Sequence, residues 1–178
     1  MELTSDEYRL EDIARDHAID AAVFVPFAIV RLCGETAATE ATLQVQLRDV
    51  GDTGESRRAV RLVWSADGVP KHPLAVQDRT VTEWAACGVA CAIMSLYAKL
   101  RLRSVAADGD RFDYWVGDGQ HEYALEVSGT ITDDVEARHR IKVRQLLENP
   151  FGVDGFVVVV GFATRSAILS FHRFEEEQ

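Results

Sequence analysis

The period of the apolar positions changes several times along this chain, and each change marks an element. Leu43, Val45 and Leu47 alternate with Gln44, Gln46 and Arg48, and after Gly51-Asp52-Thr53-Gly54 the alternation resumes with Val60, Leu62 and Trp64. That pattern predicts two strands paired as a hairpin. From Thr80 to about Leu100 the apolar side chains Trp84, Ala85, Val89, Ala90, Ile93, Met94 and Tyr97 fall almost all round a helical projection, which predicts a buried helix. Upstream, Thr4 and Glu7 have the spacing of a capping box and predict a helix to about Asp20. The apolar, β-branched run from Ala21 to Leu32 reads as one or two short strands with Pro26 at an edge or bulge. The Gly- and Pro-punctuated stretch from Ala66 to Pro73 separates a helix-and-hairpin extension, residues 1–75, from a second part, residues 76–178.

The second part carries the most informative segment. Val105 marks a short strand, and residues 111–128 read as a hairpin about Asp118-Gly119, a dipeptide suited to a two-residue type I′ turn. In that register paired residue numbers sum to 237, so Asp113 faces Ala124. Alternation places Phe112, Tyr114, Val116, His121, Tyr123, Leu125 and Val127 on a core face, and Arg111, Asp113, Trp115, Glu122, Ala124, Glu126 and Ser128 on the other. Asp113 and Glu126 become diagonal neighbours about 7–8 Å apart at the backbone, with only the methyl group of Ala124 between them. Two carboxylates at that spacing suit a hard cation such as Mg²⁺ or Mn²⁺. The alternative is a half-solvated hairpin whose polar face meets water. Thr132-Asp133-Asp134 then caps a helix to about Glu148, stopped by Asn149-Pro150. Residues 156–160 read as a strand buried on both faces, and residues 167–171 as a last strand.

Composition narrows the picture. With 178 residues, 47% of them apolar, the chain can bury a sizeable core. No apolar run is read as a membrane span and the start is acidic, so the expectation is a cytoplasmic protein with no membrane partner. Cys33, Cys87 and Cys91 sit among apolar neighbours and read as structural thiols. The five histidines are scattered without ligand spacing and receive no role. The formal charge of −10 opposes unguided binding to a polyanion, although Arg138, His139, Arg140, Lys142 and Arg144 form a local basic cluster. Arginine outnumbers lysine 16 to 3 and Asn149 is the only asparagine, a bias that fits a GC-rich prokaryotic genome.

The αβββαβ order, with Asp113 on its second strand and Glu126-Val127-Ser128 on its third, resembles the PD-(D/E)xK superfamily. The resemblance covers roughly Thr80 to Phe171. It implies an α/β restriction-endonuclease-like core with a central mixed sheet, to which the N-terminal helix and β-rich extension are added. It also implies that Asp113 and Glu126 hold Mg²⁺ or Mn²⁺, with Glu83 as a third ligand from the first helix. The lysine expected two residues after the acid is replaced by Ser128, whose hydroxyl carries no charge to steady a developing anion. Some branches of the superfamily move that lysine to the second helix, where Lys142 is the only candidate, so the catalytic set becomes Asp113, Glu126 and Lys142. Arg138, Lys142 and Gln145 lie on one helical stripe, and the resemblance places Arg138, Gln145 and Ser128 toward substrate.

Each of these residues also has a plainer role: Glu83 as a capping partner of Thr80, Lys142 and Arg138 as solvated charges, Ser128 at a strand end. Two functions stay open. One is a Mg²⁺-dependent nuclease acting on DNA in defence or repair. The other is a catalytically inactive nuclease-like module that binds a protein partner or pairs as a homodimer.

Overall fold

The computed structural model describes residues 5–52, 54–132 and 134–175. In chain order its elements are β1 (Ser5–Arg9), α1 (Ile13–Asp16), α2 (Val25–Cys33), β2 (Glu40–Arg48) and β3 (Glu55–Val63). These are followed by α3 (Asp78–Ile93), β4 (Arg101–Val105), β5 (Tyr114–Gly117), β6 (Glu122–Thr130), α4 (Val135–Leu147), β7 (Gly155–Gly161) and β8 (Ser166–His172). The strands form one mixed, eight-stranded sheet in the order β1-β3-β2-β8-β7-β6-β5-β4. β4, β5 and β6 are an antiparallel meander, and β7 lies parallel to β6 after the α4 crossover. The extension joins the rest of the sheet through parallel pairing of β2 with β8.

The expected β2–β3 hairpin forms, with Ala41, Leu43, Val45 and Leu47 buried on one side and the alternate residues facing outward. One sheet face is covered by α2 and α3 over a core that includes Leu43, Leu62, Leu125 and Val158. α4 covers the other face at β6, β7 and β8, over Ala124, Leu146, Val157 and Val159. That two-sided cover explains why residues 156–160 are apolar without alternation. α3 sits close on β6 at Gly129, where a Cβ would come within 2.7 Å of the Thr82 carbonyl oxygen and 2.9 Å of the Ala86 Cβ. The helix then continues through a π turn, Met94–Ala98, ending at Lys99 in the left-handed region. Residues Asp78–Ala98 are long and apolar enough to span a bilayer, contrary to the sequence reading, yet 67% of the apolar window is buried inside the molecule, as in a core helix.

Three other expectations are corrected. Glu7 belongs to β1, which pairs in parallel with β3 and buries Tyr8; Thr4 lies outside the described residues. The capping signature is a local preference, and edge pairing overrides it. Residues 21–32 are helical, a 3₁₀ turn (Ala21–Phe24) running into α2. Pro26 occupies the first turn of α2, where its missing N–H has no intrahelical acceptor to leave empty. The central hairpin turns through four residues, 118–121, so that Tyr114 pairs with Leu125 and Trp115 with Ala124. Asp118 accepts from the backbone N–H of Gln120 and His121, each at 2.8 Å, and Gly119 alone takes a positive φ of 94°. The side chain of Asp118 closes the loop, which removes any need for a type I′ turn.

His17 locks the extension against the rest of the molecule. Its Nδ1 accepts from the Leu102 N–H at 3.0 Å and its Nε2 lies 3.1 Å from the Cys91 carbonyl oxygen. Burial pushes its pKa down, keeping it neutral and suited to one donor and one acceptor contact.

Candidate active site

The corrected register shifts pairing by two residues, so residues 113–117 and 122–128 keep their faces, and Asp113 now stands opposite Glu126 rather than diagonal to it. Phe112 does not keep its face: expected beside Tyr114, it packs with Trp115 and Ala124 on the α4 side, because the chain leaves regular alternation at Arg111. The ladder continues past β5 through the Asp113 N–H, which donates to the Leu125 carbonyl oxygen at 3.0 Å. Asp113 Oδ2 in turn accepts from the Val127 N–H at 2.8 Å, which fixes the carboxyl over β6. α4 covers the part of this face at Glu126 and Ser128, leaving them 1% and 7% exposed, while Asp113 at its edge stays part-exposed.

Lys142 reaches down from α4 and places Nζ 2.5 Å from Glu126 Oε1 and 3.1 Å from Gln145 Oε1. Glu126 Oε2 is buried and has no hydrogen-bond donor among the described residues. The neighbouring carboxyl of Asp113 offers it lone pairs, not a donor, so this pair must hold a proton between its members or bind a cation. The electrostatics express the same conflict. Burial raises the pKa of Asp113, opposed by the Val127 N–H and by Lys142. Burial first and the Asp113 charge second push Glu126 up to about 8, against the pull of Lys142.

Arg138 Nη1 donates to Ser128 Oγ at 3.2 Å, and Gln145 Nε2 donates to the Arg111 carbonyl oxygen at 3.3 Å. Arg111 holds a φ of 71°, a strained value for a side chain of its size, and pairs with Glu148 at 3.6 Å. Asp113, Arg111, Phe112, Gln145, Ala106 and Asp108 line a cleft of about 730 Å³ that opens at Asp113.

Six of the residues singled out from sequence therefore converge: Asp113, Glu126, Ser128, Arg138, Lys142 and Gln145. Glu83 stands apart. It lies on α3, which packs against the opposite sheet face, and pairs with Arg79 at 3.0 Å with half its side chain exposed. Its charge still raises the pKa of Asp113. Among the described residues no three His, Cys, Asp or Glu side chains are gathered as a metal-ligand set. The Thr80 capping role is absent because α3 starts earlier, with Gln77 as its N-cap.

Comparison with known protein families, curated proteins and solved structures returns no match to this chain.

Sequence reasoning missed two groups around the acids. Phe112, Trp115 and Phe151 form a three-ring cluster, with centroids 4.9 Å apart for Phe112–Trp115, 5.1 Å for Trp115–Phe151 and 6.0 Å for Phe112–Phe151. Where α4 meets β8, His139 Nε2 and His172 Nε2 each lie 2.7 Å from Ser170 Oγ. That relay ties α4 to β8. Burial, reinforced by the Arg48 and His172 charges, pushes His139 down to about 4. The ring cluster spans residues 112–151 and the relay 139–172, separations at which periodicity carries no signal.

Proposed function

We propose that the protein is a Mg²⁺-dependent phosphodiesterase, a nuclease whose reaction centre is Asp113, Glu126 and Lys142. The observation that carries this reading is the Asp113–Glu126 pair, in which Asp113 is part-buried and Glu126 fully buried, with one Glu126 oxygen unpartnered among the described residues and a lysine at the other. Bringing two acids together under a helix costs stability, and removing water from them costs more, so a fold without use for them gains by replacing either. The α3-β4-β5-β6-α4-β7 succession agrees with the PD-(D/E)xK resemblance and supports the same reading.

The donors fit the ion. Carboxyl oxygens are the hard ligands Mg²⁺ prefers, and Glu126 Oε2 is an oxygen with no donor among the described residues. Asp113 and Glu126 would hold it, while Glu83, paired with Arg79 on α3, stands outside that set. When bound, the metal supplies an acidified water and a Lewis acid for a phosphoryl oxygen. Lys142 delivers to the acids, from α4, the positive charge that Ser128 cannot supply from β6, and Gln145 holds it there. Ser128 orients Arg138, whose guanidinium offers a bidentate donor to a phosphate at the edge of the site.

Calorimetric titration with Mn²⁺ and cleavage assays with Mg²⁺ test this directly. Asp113→Asn and Glu126→Gln should abolish metal binding and cleavage together. Lys142→Ala should lower cleavage by about 10²–10³-fold while metal binding persists. Mn²⁺ binding unchanged in both carboxyl variants, or no cleavage of any DNA or RNA by the parent protein, overturns the proposal.

A further inference from the structure

The four cationic residues of α4, Arg138, Arg140, Lys142 and Arg144, stand against Glu136 alone, a net +3 within 13 residues of a chain whose formal charge is −10. The side chains of Arg140 and Arg144 are exposed and form no hydrogen bond or salt bridge with the described residues. The same outer surface shows Ile141, 62% exposed, and beyond the helix end Phe151, 49% exposed. Phe151 packs edge-on against Trp115 and Phe112, and Phe112 is also a wall of the cleft beside Asp113. α4 is thus a basic track, with Arg138 and Lys142 turned to Ser128 and Glu126 and Arg140 and Arg144 in solvent, and Phe112 joins the cleft lined by Asp113 to an aromatic platform with one ring in solvent.

We infer that the substrate of this site is single-stranded nucleic acid, its phosphates following α4 and a base stacking on the Phe112–Trp115–Phe151 cluster. The inference rests on the phosphodiesterase reading above and specifies its substrate. A duplex presents a phosphate charge about every 1.7 Å of axis, and affinity for it comes chiefly from neutralising many of them. The acidic remainder of this molecule opposes that. The cleft lining also carries Asp108, and Asp110 follows it in the same loop, so a second strand would meet negative charge. A single strand needs only the short basic track, and its unpaired bases expose faces whose stacking is worth about 1–3 kcal/mol each and is insensitive to sequence.

The test is fluorescence anisotropy on the full chain in EDTA, so that binding is read without cleavage. The probes are a labelled thymidine oligomer of about 12 nucleotides, the same strand annealed to its complement, and an abasic oligomer of equal length. The thymidine oligomer should bind tightest. Phe151→Ala should weaken it by about 5- to 150-fold, the range set by one lost stack, and should leave the abasic oligomer unchanged. Phe151→Trp should restore binding, which separates stacking from a folding defect, and Arg144→Glu should weaken all three probes. Equal affinity for duplex and single strand, or no effect of Phe151→Ala on the thymidine oligomer, overturns the inference. Mg²⁺-dependent cleavage of duplex with no dependence on Phe151 would retain the catalytic reading and remove this one. Phe151-dependent binding without cleavage would retain this one and remove the other.

Discussion

At the scale of single residues, Glu126 is where stability and function pull in opposite directions. Its ordinary pKa of 4.5 is pushed to about 8 in the folded chain, chiefly by burial. A carboxyl with a raised folded pKa favours folding below about pH 4.5 and loses that contribution as pH rises through about 8. Glu126→Gln keeps the shape and removes the ionisation, so it should stabilise the protein at pH 8–9 by about 1–3 kcal/mol and change little at pH 4–5. For a chain of this size that is a rise in Tm of about 2–4 °C per kcal/mol. Added Mg²⁺ should narrow the gap by stabilising the parent alone. A variant less stable than the parent at pH 9 without metal would mean that the acid is held by more than the structure displays. Asp113 and Glu126 were legible in the sequence as a pair on one face, because a register error of two residues preserves alternation. The burial of Glu126 was not legible, since it depends on a helix that arrives afterwards.

At the scale of elements, α4 is attached less by apolar packing than by polar contacts. Only Val135, His139 and Leu146 are buried along it. Lys142 pairs with Glu126, Arg138 bonds Ser128, Arg48 pairs with Glu136, and His139 meets Ser170. A helix held this way is specified by charge and protonation. His139 faces Arg48, Glu136, Arg140 and His172, and its pKa falls from 6.5 to about 4. A depressed histidine gives its full contribution above about pH 6.5 and loses it as pH falls toward 4, because the unfolded chain takes up the proton first. The Tm of the parent should therefore fall faster between pH 7 and pH 4.5 than that of His139→Gln, whose amide can still meet Ser170. Comparing the two curves cancels the opposing trend from Glu126, and parallel curves would show that His139 titrates alike folded and unfolded. The boundaries of α4 were readable because Asp134 caps it, accepting from the Ala137 N–H at 2.9 Å. The partners of its side chains lie on β2, β6 and β8, beyond the reach of any local pattern.

At the scale of the whole molecule, the eight-stranded sheet makes the N-terminal extension continuous with the strands that carry the site. The β2–β8 pairing and the His17 contacts to Leu102 and Cys91 cross from one part to the other. Thermal unfolding followed by far- and near-UV circular dichroism should accordingly be one coincident transition, whereas two resolved transitions would show that residues 1–75 stand alone. What the sequence determined by itself is what short-range periodicity encodes: the β2–β3 hairpin, the buried helix α3, the capped helix α4, the apolar strand β7 and the shared face of Asp113 and Glu126. What only the tertiary structure decided is what depends on partners distant in the chain. Residues 5–9 became a strand because β3 offered an open edge, and residues 21–32 became a helix because α3 gave their apolar side chains a surface. Lys142 came to Glu126 because the crossover laid α4 over β6, 16 residues away in sequence. Alternation and capping act over a few residues, whereas burial and charge pairing depend on which surfaces meet after the chain has folded.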